Sequence, residues 1–330
     1  MASNGTNSGD GGVATVPRDA AVDLSHDELR RMFETMLLAR SLDERMWLLN
    51  RAGRAPFVIS CQGHEAAQVG VGFALDPAKD WIVPYYRDLA LALHFGYTAR
   101  DAMLGLLSRA EEPSSGGRQM PGHYGSRSRH IVTASSPVGT QIAQAPGIAL
   151  AAKIRGEDTV VVTSIGEGGT AQGDFHEGLN WASIYKLGVI FLVQNNHYAI
   201  SVPMEKEMAV KTVAERAPAY GMAGVTVDGS DAVEVYLRAK EAVERGRRGD
   251  GPTLFEAVVD RLTPHSSDDD DRFYRSREEV QSYRERDPIV VTANRLREMG
   301  ALNDEQEAQI RERIKAQVND ATDYAENAPL

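Results

Sequence analysis

Glu167 and Asn196 are the residues whose types and spacing point most directly to chemistry. An apolar run at 159–165 ends in Gly166-Glu167-Gly168-Gly169, and a second run at 188–193 ends in Gln194-Asn195-Asn196. A helix-like segment separates them, so the stretch reads as a βαβ unit. Such a unit sets the carboxyl ends of its strands side by side, where α/β sheets bind ligands. The two residues lie 29 positions apart, about one βαβ repeat, and so point their oxygens into one crevice. A carboxylate and an amide oxygen beside a glycine turn suit a magnesium ion carrying a phosphorylated ligand. The same turn fits the dinucleotide fingerprint G-x-G-x-x-A at 166–171. Glu167 would repel a bare pyrophosphate, however, and the second strand ends in amides instead of the acid that binds a ribose. A cation between carboxylate and phosphate reconciles both features. A glycine turn with a solvated Glu and a helix-capping Asn pair is the plain alternative.

The elements that must position these residues fit an ordinary globular composition. The chain has 330 residues, 42% hydrophobic and 25% charged. That is enough for one α/β domain with appended helices, or for two smaller domains. A net charge of −11 with no offsetting basic stretch argues against nucleic acid as a partner. Cys61 is the only cysteine, which leaves no intrachain disulfide and suits a reducing compartment. No apolar run reaches the roughly 20 residues that span a bilayer, so no membrane role is expected. The first residues lack both a signal-peptide core and an Arg-rich transit character. A cytoplasmic protein with a disordered tail at 1–24 is the expectation.

Order is expected to begin at Ser25, whose spacing to Glu28 is that of a capping box, ahead of a helix running to about Gly53. Further helices are expected at 63–74, 88–95 and 140–153, with a loop at 111–125 and a strand at 252–259. The last segment, from Asn303, repeats Ile310, Ile314 and Val318 at helical spacing and reads as a surface or packing helix.

Five separated motifs carry a family resemblance: GRQMPGHYG (117–125), ASSPVGTQIAQA (134–145), GEGGTAQGDFHEGLNWAS, QNNHYAISVP and HSSDDDDRFYRS (265–276). The glycine–acid–glycine turn followed by the Asn pair resembles the thiamine-diphosphate motif. The whole set resembles the alpha subunit of the decarboxylating component of 2-oxo acid dehydrogenase complexes. Glu in place of Asp at 167, with Gly173-Asp174-Phe175-His176, looks most like the branched-chain members. The resemblance implies an α/β thiamine-diphosphate-binding fold, a parallel sheet flanked by helices with N-terminal and C-terminal helical extensions. It implies a single domain at 25–330, with a core at about 111–270 and a C-terminal helical extension at about 271–330.

Residue by residue, the resemblance makes Glu167, Asn196 and the Tyr198 carbonyl the magnesium ligands. Tyr86, Arg87 and Arg261 would bind the diphosphate, and Gly166, Gly168 and Gly169 would let the backbone approach it. An ion pair of Arg87 with Asp88 or another acid at a helix start is the plain alternative for Arg87. Ser136 and Val138 would hold the aminopyrimidine. Ser135, Pro137, Thr140 and Gln141 match a potassium site of some members, in competition with a Ser-Pro turn and helix cap. His265 would contact the cofactor and assist acyl transfer, since imidazole moves protons near neutral pH. His123 is a second catalytic candidate, with a structural loop histidine as the alternative. Phe57, Gln62 and His64 would line the substrate pocket. The chain departs from the pattern at Gln194, where some branched-chain members have an Arg, and at Pro264, where some have a second His.

The implied activity is oxidative decarboxylation of a small 2-oxo acid on thiamine diphosphate and transfer of the acyl group to lipoamide. The favoured enzyme is a 3-methyl-2-oxobutanoate dehydrogenase. A pyruvate or acetoin dehydrogenase alpha subunit and an NAD-binding dehydrogenase are the alternatives. The implied partners are a beta subunit, in an α2β2 heterotetramer, and the lipoyl-bearing acyltransferase.

Overall fold

The computed structural model describes residues 21–330. The tail expected at 1–24 therefore lies, up to residue 20, outside the described residues. Of the rest, Val22 and Leu24 pack against the core, and Asp23 accepts from Tyr236 Oη at 2.8 Å.

Helix α1 (His26–Arg51) starts where the capping box places it: the Ser25 hydroxyl accepts from Glu28 N, and Glu28 returns the bond. Its apolar face, Leu29, Met32, Phe33 and Met36, is fully buried. Then come α2 (Glu65–Phe73), β1 (Trp81–Val83), α3 (Leu89–His94) and α4 (Ala99–Leu106). A long loop leads to α5 (Thr140–Arg155), and β2 (Val161–Gly166), α6 (Gly173–Ile184) and β3 (Val189–Asn195) form the expected βαβ unit. The short hairpin β4 (Tyr198–Ala199) and β5 (Val202–Pro203) precedes β6 (Ala223–Asp228), α7 (Ala232–Arg247) and β7 (Thr253–Val258). The chain closes with α8 (Arg277–Glu285), α9 (Pro288–Glu298) and α10 (Asp304–Asn327). Among the described residues no helix is long and apolar enough to cross a membrane.

The main sheet is wholly parallel, in the order β1-β2-β3-β7-β6. β2, β3 and β7 are buried almost throughout, as strands covered on both faces must be. The fold class is as expected. The sheet reaches further back than residue 111, however, because β1 pairs with β2 from Trp81↔Val161 to Val83↔Thr163. Three residues between Asp80 and Pro84 are too few to show a period. The terminal helices meet: Ile310, Ile314 and Val318 of α10 are buried in the same core as α1.

Strand order departs from sequence order after β3: the chain crosses to the edge strand β6 and turns back to β7, which lies between them. Ligands of open α/β sheets sit outside the carboxyl ends of the strands at such a point. Every segment carrying a magnesium, diphosphate or His265 candidate leaves the sheet there, after β1, β2, β3 or β7.

Candidate active site

A cleft of about 390 Å³ opens at the carboxyl ends of these strands. Tyr86, Arg87, Ser136, Val138, Gly166, Glu167, Gly168, Gly169, Asn196, Tyr198 and His265 all line it. Strand register explains how: Gly166 is the partner of Gln194, which sets Glu167 and Asn196 at neighbouring strand ends.

Glu167 is 1% exposed, and its Oε2 accepts from Asn196 N at 3.0 Å. Its Oε1 is buried with no hydrogen-bond partner, as is Asn196 Oδ1. Burial pushes the Glu167 carboxyl up to about 7, and the neighbouring Glu207 carboxylate adds to this. Two unpaired buried oxygens are costly unless something electropositive joins them. Among the described residues no three His, Cys, Asp or Glu side chains cluster as a metal cage. The donor set is instead one carboxylate, one amide and a main-chain carbonyl, which suits magnesium sharing its shell with phosphate and water.

Two guanidinium groups supply the opposite charge. Arg87 is 1% exposed and forms no ion pair among the described residues, so the Asp88 alternative does not hold. Asp88 accepts instead from Tyr85 N at 3.0 Å, Gln194 Nε2 at 2.6 Å and Ser164 Oγ. Arg87 donates to the Ser60 carbonyl and, through Nη2, to His265 Nδ1 and the His265 carbonyl, both at 3.3 Å. Arg261 is fully buried, with Nε and Nη1 unpartnered and Nη2 donating to the Ile200 carbonyl at 2.8 Å. Burial, then the Arg87 charge, pulls its pKa below the usual arginine range. Two buried cations without carboxylates fit a polyanion.

His265 is half-buried between them. Burial, then Arg87 and Arg261, lowers its pKa to about 3, so the ring is neutral. A guanidinium has no lone pair to accept with, so Nδ1 accepts and the ring proton sits on Nε2. His123 reaches the cleft indirectly: its Nε2 accepts from Ser136 Oγ at 2.7 Å while Nδ1 donates to the Met120 carbonyl at 3.0 Å. Its own ring lines a separate cavity of about 30 Å³, room for one or two waters.

Two of the five non-glycine residues with positive φ among the described residues lie here. His197 (φ 71°) and Ile200 (φ 56°), on either side of the Tyr198–Ala199 strand, adopt the left-handed region that non-glycine residues rarely occupy. Gly168 is required by close approach, since a Cβ there would lie 2.3 Å from Ala199 Cβ. Gly168→Ala should therefore push β4 away from the glycine turn and cost about 1–3 kcal/mol, read as a lower denaturation midpoint. An unchanged midpoint would show that the contact is not tight.

Several expected residues lie elsewhere. Phe57, Gln62, His64 and Arg261 do not line the cleft. Gln62 faces a separate surface pocket with Trp47 and Arg284. His64 is fully buried, its Nδ1 donating to Gln194 Oε1 at 3.0 Å, and burial holds its pKa well below the usual histidine range. Gln194 thus ties His64, Gln68 and Asp88 together behind the cleft and is not directed into it. At the potassium candidates, Thr140 Oγ1 donates to the Pro137 carbonyl at 2.7 Å and Gln141 Nε2 to the Ser164 carbonyl at 2.9 Å. The first bond is that of a turn at a helix start, and the second ties the start of α5 to strand β2. Sequence reasoning missed Gln172, Ala199 and Ile200 in the cleft wall, and Glu207 beside Glu167. Gln172 and Ile200 sit inside two of the quoted motifs; nothing in the spacing marks Glu207.

Known proteins bear on this geometry. A profile of the family described as "Dehydrogenase E1 component" matches residues 33–330. The 2-oxoisovalerate dehydrogenase subunit alpha of Bacillus subtilis (strain 168) is 55% identical over 312 residues, 94% of this chain and 94% of that protein. The pyruvate dehydrogenase E1 component subunit alpha of the same organism is 39% identical over 316 residues, 95% of this chain and 82% of that protein. The pyruvate dehydrogenase E1 component subunit alpha of Staphylococcus aureus (strain N315) is 39% identical over 313 residues, 94% and 82% of the two chains. With a profile match over nine-tenths of its length, the chain belongs to the dehydrogenase E1 component family.

Proposed function

We propose that the chain is the alpha subunit of a branched-chain 2-oxo acid dehydrogenase, acting on 3-methyl-2-oxobutanoate (2-oxoisovalerate) with thiamine diphosphate and magnesium. The observation that carries this reading is charge matching in and beside one cleft: Arg87 lines it, and Arg261, outside the lining, donates to the carbonyl of the cleft residue Ile200. Two buried guanidinium groups lack carboxylates, and two buried oxygens, Glu167 Oε1 and Asn196 Oδ1, lack donors. A magnesium diphosphate satisfies all four at once.

Glu167, Asn196 and the Tyr198 carbonyl would hold the cation, whose charge would keep the Glu167 carboxylate ionised. Arg87 and Arg261 would bind the diphosphate, with Gly168 and Gly169 allowing close backbone approach. Ser136 and Val138 would seat the aminopyrimidine, and His123 would orient the Ser136 hydroxyl. When bound, thiamine diphosphate supplies the electron sink that lets a 2-oxo acid lose carbon dioxide. His265, neutral with its proton on Nε2, is poised to donate a hydrogen bond or proton in the cleft during acyl transfer to lipoamide. Potassium is not needed for this reading.

The aminopyrimidine must also be activated. We assign that task to a beta subunit in an α2β2 assembly, with a lipoyl-bearing acyltransferase as acceptor, in the cytoplasm. Reconstituted with its beta subunit, the enzyme should favour 2-oxoisovalerate over pyruvate by at least about tenfold in kcat/KM, the discrimination that one or two apolar carbons supply. A preference for pyruvate would move the reading to the pyruvate branch, where the two 39% identical relatives lie.

A further inference from the structure

α8 sits on the domain without a fully buried residue; Glu279, Val280 and Tyr283 are its half-buried side. Ser276 and Glu279 at its start have capping-box spacing, and the Ser276 hydroxyl does accept from Glu279 N at 3.1 Å. The return bond that closes the boxes of α1, α4 and α10 is not made here. The Glu279 carboxylate turns instead toward the cleft loops, its Oε1 accepting from Tyr198 Oη at 2.8 Å and Tyr283 Oη at 2.7 Å. The Tyr283 ring stacks on His197, with centroids 6.3 Å apart. Just past the helix, Arg286 reaches Asp228 at 3.1 Å and Asp260 at 3.8 Å.

We propose that Glu279 is a positioning residue that latches α8 onto the 196–200 turn and so fixes the Tyr198 carbonyl and the Asn196 side chain where the cation would sit. The turn needs such a hold. His197 and Ile200 both lie in the left-handed region, a conformation that persists only when its surroundings over-determine it. A helix with no fully buried residue belongs to the less stable part of a fold, so these polar bonds carry much of its attachment. The loop bearing His265 runs directly into α8, so one carboxylate ties the metal-ligand turn to the segment that follows the histidine.

This inference rests on the magnesium reading above, and two readouts keep the failures apart. The protein is reconstituted with its beta subunit, and magnesium is titrated at fixed thiamine diphosphate, with binding followed by circular dichroism. Glu279→Ala should raise the half-saturating magnesium concentration about tenfold, the worth of one hydrogen bond to a charged group. Glu279→Gln keeps an acceptor oxygen and should recover most of that loss. Tyr198→Phe, which keeps the carbonyl, should weaken binding on its own but add little on top of Glu279→Ala. Trypsin gives the second readout: Arg277 and Arg284, both exposed on α8, should be cut faster in Glu279→Ala than in wild type, with or without cofactor. Wild-type magnesium affinity in Glu279→Ala, or unchanged cleavage of α8, overturns the latch. A wild-type protein that binds no thiamine diphosphate overturns the proposed function, and the latch with it.

Discussion

Glu167→Gln should lower magnesium affinity by more than about a hundredfold, beyond the 10–100-fold typical when a residue behind a metal ligand is changed. It should also leave the metal-free protein at least as stable as wild type. The two effects have opposite signs for one reason. Glu167 is buried with one oxygen unpaired, and no counter-charge forms an ion pair with it among the described residues. That arrangement costs stability in the empty protein and is repaid only when a cation arrives. The amide keeps the shape and can still accept from Asn196 N. Thermal unfolding without magnesium and magnesium titration with thiamine diphosphate separate the two effects. A variant that bound magnesium normally, or that failed to fold, would contradict this account of Glu167.

His265→Ala should slow acyl transfer to a lipoyl acceptor by about 10²–10⁴, the usual contribution of a positioned acid or base. Decarboxylation assayed with an artificial electron acceptor should fall much less. Cofactor affinity should hold, because Arg87 Nη2 also donates to the His265 carbonyl, which alanine retains. The ring pKa offers an independent check. Burial and two arginine charges hold it near 3, so an anion between those arginines must raise it. NMR titration of the histidine should show an upward shift when magnesium diphosphate is added. Full lipoyl acylation by the variant would remove His265 from the reaction.

The catalytic half of the sheet was legible in the sequence because its strands are long, apolar and end in chemistry. The runs before Glu167 and Asn196 became β2 and β3, and the strand at 252–259 became β7. β6 was not legible: it is an edge strand with Gly224 inside it and only Val227 buried, so it carries little apolar signal. Four of the five motifs carry residues of the cleft wall, Ser136, Glu167, Asn196 and His265 among them, while His123 touches it only through its hydrogen bond with Ser136. Phe57, Gln62 and His64 lie outside those motifs and outside the cleft wall, because no local pattern says which way a chain entering α2 faces. The Arg87–His265 contact spans 178 positions, and such pairings follow from topology, not from spacing.

The proposed function requires that the cleft between β1, β2, β3 and β7 take a diphosphate through a cation. Calorimetric titration of the chain with its beta subunit, with thiamine diphosphate in the presence and absence of magnesium and with NADH as the competitor, tests it most directly. The account predicts saturable thiamine diphosphate binding that vanishes when magnesium is chelated, and no heat from NADH. Tight NADH binding, or thiamine diphosphate binding indifferent to magnesium, would contradict it.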